Sequence, residues 1–427
     1  MNPQVASDNR PEQPIFFEPP LNKKKEQDRP MATTETNVDL TSTSAVGTSG
    51  LLISLPPLSQ EAFDATLSNL ALAFPGETVL VATPDAAPQS SSGSPLRLLP
   101  YTVTAVSTTP WVPTAADYLN SYKLAQENRA TACVLLGAEA QSLHPESIRA
   151  LAKSTVQCDL TVAHYDLGPR EGLVTSAILY PVTRALFSTR PRFPLAIDIG
   201  LSIRMAERLA TVAQRFTAAG QNDALLWPLN EAATANYTVA EVNIGSRTFA
   251  QPISADVNAL LAQITASLFA DIDAKAAFWQ RARGTQPYQP VSFTTPVTEP
   301  PDIGPMLDAF RLAYTNLHDI WSLVLPPNSL LGLKKLSLMQ PENFRMPDNL
   351  WARIVYDFTL AFRLRTINRG HLLGALTPLY LAWVASHLTL ISSGTAPEKH
   401  IQDLAIAFEA DKPYLVSRWR WPDRFNP

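Results

Sequence analysis

At 427 residues the chain exceeds one ordinary domain, which predicts two packed units and a tail. A composition of 46% hydrophobic and 17% charged residues is that of a globular chain, not a disordered one, and 37 Pro against 16 Gly favours loops of fixed geometry over hinges. A net charge of -4 gives no electrostatic reason to expect nucleic acid as a partner. Two cysteines, Cys133 and Cys158, are too few for a disulfide framework; with no signal peptide visible, they point to a reducing, cytoplasmic setting.

Residues 1–47 are rich in Pro, Thr, Ser, Asn and charge with no apolar period, and read as a disordered leader. From Leu51 apolar runs alternate with helical periods, the pattern of a βαβ sheet. Residues 51–55 read as a strand and Ser59 as the cap of a helix whose Phe63, Leu67, Leu70 and Phe74 share one face. Pro75-Gly76 stops that helix, and residues 78–82 form the next strand. A polar loop, 84–96, follows its carboxyl end, where open parallel sheets hold ligands, and 98–106 read as another strand. Thr114 and Asp117 have capping-box spacing ahead of a helix through about Glu127. The run from Ala132 to Leu136 is a buried strand that delivers Gly137, Ala138 and Glu139 to its end. A helix opening at His144-Pro145-Glu146 and a strand over 160–164 come next.

A second regime begins near residue 250. Val257, Leu261, Ile264, Leu268, Ile272 and Trp279 recur at helical spacing after a Ser254 cap, which predicts one long helix with Asp271 and Lys275 facing water. The Pro-rich stretch 287–305 reads as an extended linker, and helices follow over 306–325, 348–365 and 371–391. The organisation is therefore a leader (1–47), an α/β domain (48–250) and a helical region (251–427). Residues 372–391 are nearly charge-free and long enough to cross a bilayer, but Pro378, Ser386, His387 and Thr389 argue for a buried helix interrupted near Pro378, leaving at most a peripheral membrane contact. Trp419-Arg420-Trp421-Pro422 reads as a docked tail.

Several segments resemble the GT-A glycosyltransferases of the glucosylglycerate and mannosylglycerate synthase type. Val134-Leu135-Leu136-Gly137-Ala138-Glu139 falls where that family carries Asp-Ala-Asp after a strand. Leu179-Tyr180-Pro181 leading to Asp198-Ile199-Gly200-Leu201-Ser202 is similar to its Tyr-Pro stretch and Gly-Gly-Asp-Phe-Gly-x-Ser loop. Ile244-Gly245-Ser246-Arg247-Thr248-Phe249 resembles its Leu-Gly-x-Lys-x-His segment. Leu350-Trp351-Ala352-Arg353 and Leu376-Thr377-Pro378-Leu379-Tyr380 match in the helical part, in an architectural role. The resemblance implies a GT-A-like nucleotide-sugar-binding domain with a mixed, mostly parallel sheet, followed by a mostly helical unit. It implies transfer of a hexose from a nucleotide sugar to a small hydroxy-acid acceptor, with Mg²⁺ or Mn²⁺. The departures fall on the chemistry: Gly137 replaces the first acidic residue, Phe249 the metal-binding histidine and Leu225 a further acid, a degenerate set for a hard cation.

The candidate site residues follow from this reading. Pro56, Gly137, Ala138 and Glu139 are expected at the donor, with Glu139 also the one weak metal ligand or, more plainly, a solvated loop acid. Asp198 is the candidate base or acceptor-orienting group, or else a turn cap. Ser202, Gly200 and His164 are expected at the acceptor, His164 with a structural reading beside it. Tyr356 and Asp357 read as buried hydrogen bonding, and Arg363, Arg365 and Arg369 as an anion site or a solvated face. Two functions stand: hexosyl transfer, or a catalytically degenerate homologue acting as a binding or assembly module.

Overall fold

The computed structural model describes residues 50–84, 95–102, 112–249, 257–282 and 302–422. The expected leader, most of the 84–96 loop, Ser254 and most of the Pro-rich stretch lie outside the described residues. The α/β part runs β1 (Leu51–Ser54), α1 (Gln60–Ala73), β2 (Val79–Pro84), β3 (Leu96–Tyr101), α2 (Ala115–Glu127), β4 (Ala132–Leu135), α3 (Pro145–Gln157), β5 (Leu160–His164), α4 (Tyr180–Phe187), β6 (Ile199–Ser202), α5 (Ile203–Ala218), α6 (Pro228–Ala235) and β7 (Val239–Asn243). Both expected caps form. Ser59 Oγ accepts from the Ala62 amide, and the Asp117 carboxylate accepts from the Thr114 amide and hydroxyl, so orphan groups at two helix starts are satisfied.

The seven strands lie in the order β3-β2-β1-β4-β6-β5-β7, all parallel except β6, which runs antiparallel to both neighbours. Alternation of side chains sorts the sheet into two cores. Leu52, Leu80, Cys133, Leu135, Val162 and Leu201 pack under α2, α5 and α6. Leu51, Ile53, Val79, Val81 and Val134 face the other way, onto α1, α3 and the helical region. A fully buried side chain of this kind contributes about 1.5–3 kcal/mol.

The helical region comprises α7 (Val257–Ala274), α8 (Ala276–Trp279), α9 (Gly304–Asn316), α10 (His318–Val324), α11 (Pro327–Ser337), α12 (Asp348–Leu364), α13 (Arg369–Ser392) and α14 (Pro397–Arg420). It shares the larger core with the sheet. Indole N–H groups pin it there: Trp351 donates to the carbonyl of Ala177 and Trp227 to Ser267 Oγ, while Trp321 ties α10 to α13 through the Ala375 carbonyl. Arg184 of α4 reaches Glu409 and Gln402 of α14, and Tyr356 donates to the Phe408 carbonyl, so the quoted family-like segments carry packing. Trp419 is buried as the last turn of α14, which docks the tail.

Four expectations change. The long helix breaks at Lys275, and the 306–325 helix divides at Leu317. Asp271 and Lys275 do not face water: Lys275 pairs with Asp271 and, at 2.7 Å, with Glu231 of α6, and Asn230 donates to Asp271 at 2.8 Å. They turn inward because α6 presents Glu231 and Asn230 to that face. Finally, α13 continues through Pro378 without interruption, losing only the one bond a proline nitrogen cannot donate. Among the described residues it is the one helix long and apolar enough to cross a membrane, and most of it is buried against its neighbours.

Candidate functional site

The site begins where β1 and β4 end side by side, Ser54 opposite Leu135. This register brings half-buried Pro56, Ala138 and Glu139 and buried Gly137 to one sheet mouth. Glu139 adopts a left-handed backbone (φ 63°), and its carboxylate accepts from Gln141 Nε2 at 2.6 Å. Gly137 has a steric cause. A Cβ there would lie 1.9 Å from Ile197 Cγ2, so any side chain at this position requires Ile197 to move.

Because β6 is antiparallel, its entry residue Asp198 arrives beside Gly137. The carboxylate is completely enclosed and fully engaged. One oxygen accepts from the Gly137 amide at 3.0 Å and from Arg247 Nη2 at 3.1 Å. The other accepts from the Tyr165 hydroxyl at 3.1 Å and meets Arg247 Nε at 2.7 Å. Tyr165 Oη in turn accepts from the amides of Ile197 and Asp198. Burial and the Asp198 charge hold the Tyr165 phenol well above its ordinary pKa. The candidate base is thus corrected to a structural ion: no lone pair of Asp198 reaches a substrate.

Arg247 is delivered by the segment that continues β7 past its end. Ile244 N donates to the His164 carbonyl, Asp166 N to that of Gly245, and Thr248 N to Ser142 Oγ, locking the segment between the Glu139 turn and the end of β5. Its guanidinium also donates to the Thr248 carbonyl and stands 5.7 Å from the Phe249 ring. Phe249 packs edge-on against Tyr165 at 5.2 Å. Glu139, Asp198 and Phe249 therefore do belong to one neighbourhood.

The same reversal of β6 moves two acceptor candidates away. Ser202 pairs with Ala132, at the far end of β4 from Gly137. There its hydroxyl caps α5 through the Met205 amide and donates to Asp159. Gly200 lies mid-strand under α3, where a Cβ would sit 1.8 Å from Thr155 Oγ. Both are corrected to structural roles. His164 ends β5 with Nδ1 3.1 Å from Glu241 Oε1, which also accepts from the Arg192 amide, and it packs edge-on to Phe193. It borders the hollow described next without being one of its lining residues.

That hollow, about 490 Å³, opens past the end of β5 between the sheet and the helical region. Tyr165, Phe193 and Phe249 form one wall, and Leu260 and Ile264 of α7 with Tyr380 of α13 the other. A π-helical turn, Thr175–Leu179, contributes to the lining, a distortion frequent at functional sites.

A hard divalent cation does not fit the residues at the mouth. Such an ion takes about six oxygen ligands. Gly137 offers no side chain, Phe249 is apolar, and Asp198 is neutralised by a guanidinium. No group of three or more His, Cys, Asp or Glu suited to a metal occurs among the described residues. Sequence reasoning missed Arg247, Glu241 and the site role of Tyr165 and Tyr380. Arg247 stood in the quoted segment at the family's lysine position, which was the available signal.

No protein-family model matches this sequence, and no curated protein matches it. Among solved structures, a mycobacterial protein is 17% identical over 59% of this chain and 80% of its own, with a TM-score of 0.33. Glucosyl-3-phosphoglycerate synthase from Mycobacterium tuberculosis, solved with Mn²⁺, UDP and glucosyl-3-phosphoglycerate, is 17% identical over 52% and 79%, with a TM-score of 0.30. A nucleotide-diphospho-sugar transferase structure from Desulfovibrio desulfuricans is 9% identical over 54% and 96%, with a TM-score of 0.29. At these values the likeness carries nothing about the site, which rests on its own geometry.

Proposed function

We propose that this chain is a degenerate relative of the nucleotide-sugar transferases that acts as a binding module and not as a metal-assisted hexosyl transferase. One arrangement supports the reading: the Arg247 guanidinium is buried on Asp198, beside a Gly137 that offers no side chain and is crowded by Ile197. Hexosyl transfer from a nucleoside diphosphate needs charge neutralisation at the leaving group and a base for the acceptor hydroxyl. Here the cation and the carboxylate neutralise each other inside the protein. The hollow past β5 remains as the ligand space, with walls from both the sheet and the helical region.

Calorimetric titration with UDP- and GDP-sugars, with and without Mn²⁺, tests this together with a single-turnover assay for released sugar. Isotherms indifferent to Mn²⁺ and no sugar release are expected. Donor binding that requires Mn²⁺, or turnover lost in Glu139→Ala, would reinstate the transferase.

A further inference from the structure

We infer that the hollow past β5 binds a small molecule with an apolar, aromatic or aliphatic body and a single oxygen acceptor, held by the hydroxyl of Tyr380. The inference rests on the binding-module reading and supplies its ligand class. Tyr380 is 5% exposed, lines the hollow, and its hydroxyl makes no hydrogen bond with any described residue. Burial alone raises its pKa, which keeps it a neutral donor. A donor that faces the hollow and has no acceptor among the described residues is placed to meet an acceptor that a ligand brings.

The rest of the wall decides the body of that ligand. Tyr165 is the other phenol, and its oxygen is already committed to Asp198 and two amides. Phe193, Phe249, Leu260 and Ile264 offer only carbon. Charged side chains occur where the hollow meets solvent, at exposed Arg170 and Glu171, and Glu171 is bonded to the Gly168 amide. A sugar or a diphosphate would bury many polar groups here against few donors, Tyr380 and the hydroxyl-bearing Thr175 of the π-helical turn, at about 1–3 kcal/mol for each left unpaired. A flat apolar molecule with one carbonyl loses none of them.

The probe is prodan, an aromatic ketone whose emission shifts to the blue in apolar surroundings, titrated into the full chain. One saturable site with blue-shifted emission is expected. Tyr380→Phe should weaken it about threefold to tenfold, the range for one hydrogen bond, while the urea midpoint stays the same or rises because the lost hydroxyl had no partner. Leu260→Trp, which fills the hollow, should abolish saturable binding. Absence of a saturable site, or a Tyr380→Phe protein that binds prodan as tightly as its parent, overturns the inference. Sugar release from UDP-glucose with Mn²⁺ alongside an intact, Tyr380-dependent prodan site would instead remove the binding-module reading and leave the ligand assignment standing.

Discussion

If Asp198 and Arg247 serve the fold together, removing either alone must cost far more than removing both. Arg247→Met leaves a carboxylate with no exposed surface held only by the Gly137 amide and the Tyr165 hydroxyl. Asp198→Asn leaves a buried guanidinium with no counter-charge, its acceptors only the neutral Thr248 carbonyl and the side-chain carbonyl introduced at position 198. Stripping one partner from a buried pair costs about 3–5 kcal/mol. With a urea m-value of about 3 kcal/mol/M, each single substitution lowers the unfolding midpoint by about 1–1.7 M. In the double variant Asp198→Asn/Arg247→Met no charge is buried, and the side-chain carbonyl introduced at position 198 can still accept from Gly137 or Tyr165. It should therefore lie within about 2 kcal/mol of the parent, a coupling of several kcal/mol. The assay is equilibrium urea unfolding followed by tryptophan fluorescence. Single variants that each cost under about 1 kcal/mol, or a double variant equal to the sum of the two, would refute the enclosed pair and return Asp198 and Arg247 to ligand chemistry.

Gly137→Ala should destabilise by about 1–3 kcal/mol through its 1.9 Å clash with Ile197, with recovery in Gly137→Ala/Ile197→Ala; full stability of the single variant in the urea assay would contradict this. Gly200→Ala meets Thr155 Oγ at 1.8 Å and should cost a similar amount while leaving prodan affinity unchanged, since Gly200 is remote from the hollow. Acid should weaken the protein through His387, which stacks on Trp383 and sits 2.7 Å from His400 Nδ1, itself bonded to Asp348. Burial, then the neighbouring His400 and Arg192, lower its pKa to about 3. The unfolded chain therefore binds this proton below pH 6.5 and the native chain does not, so stability present above pH 6.5 is lost as pH falls towards 3. From pH 7.5 to 5 the loss is about 2 kcal/mol, and urea midpoints across that range should flatten by that amount in His387→Phe.

Local pattern carried much of the architecture. Short apolar runs placed β1, β2, β4 and β5, the caps at Ser59 and Thr114 marked helix starts, and apolar spacing found α12 and α13. These follow from interactions within a few residues, which a sequence displays directly. The cluster Pro56, Gly137, Ala138 and Glu139 was legible for the same reason, since parallel strands deliver their carboxyl ends to one edge.

Strand direction was not legible. Asp198 and Ser202 are close neighbours in the chain, yet the reversal of β6 puts one at the sheet mouth and sends the other to the opposite end. Nor does a sequence show which charges meet. Arg247 lies 49 residues from Asp198, Lys275 turns inward only because α6 carries Glu231, and Tyr380 faces a hollow built from β5, α7 and α13. The sequence thus determined that a sheet would form with Gly137, Ala138 and Glu139 at its mouth. Only tertiary structure decided that an internal ion pair stands behind that mouth and that the Tyr380 hydroxyl faces a hollow with no acceptor among the described residues, because both depend on side chains brought together across distant segments.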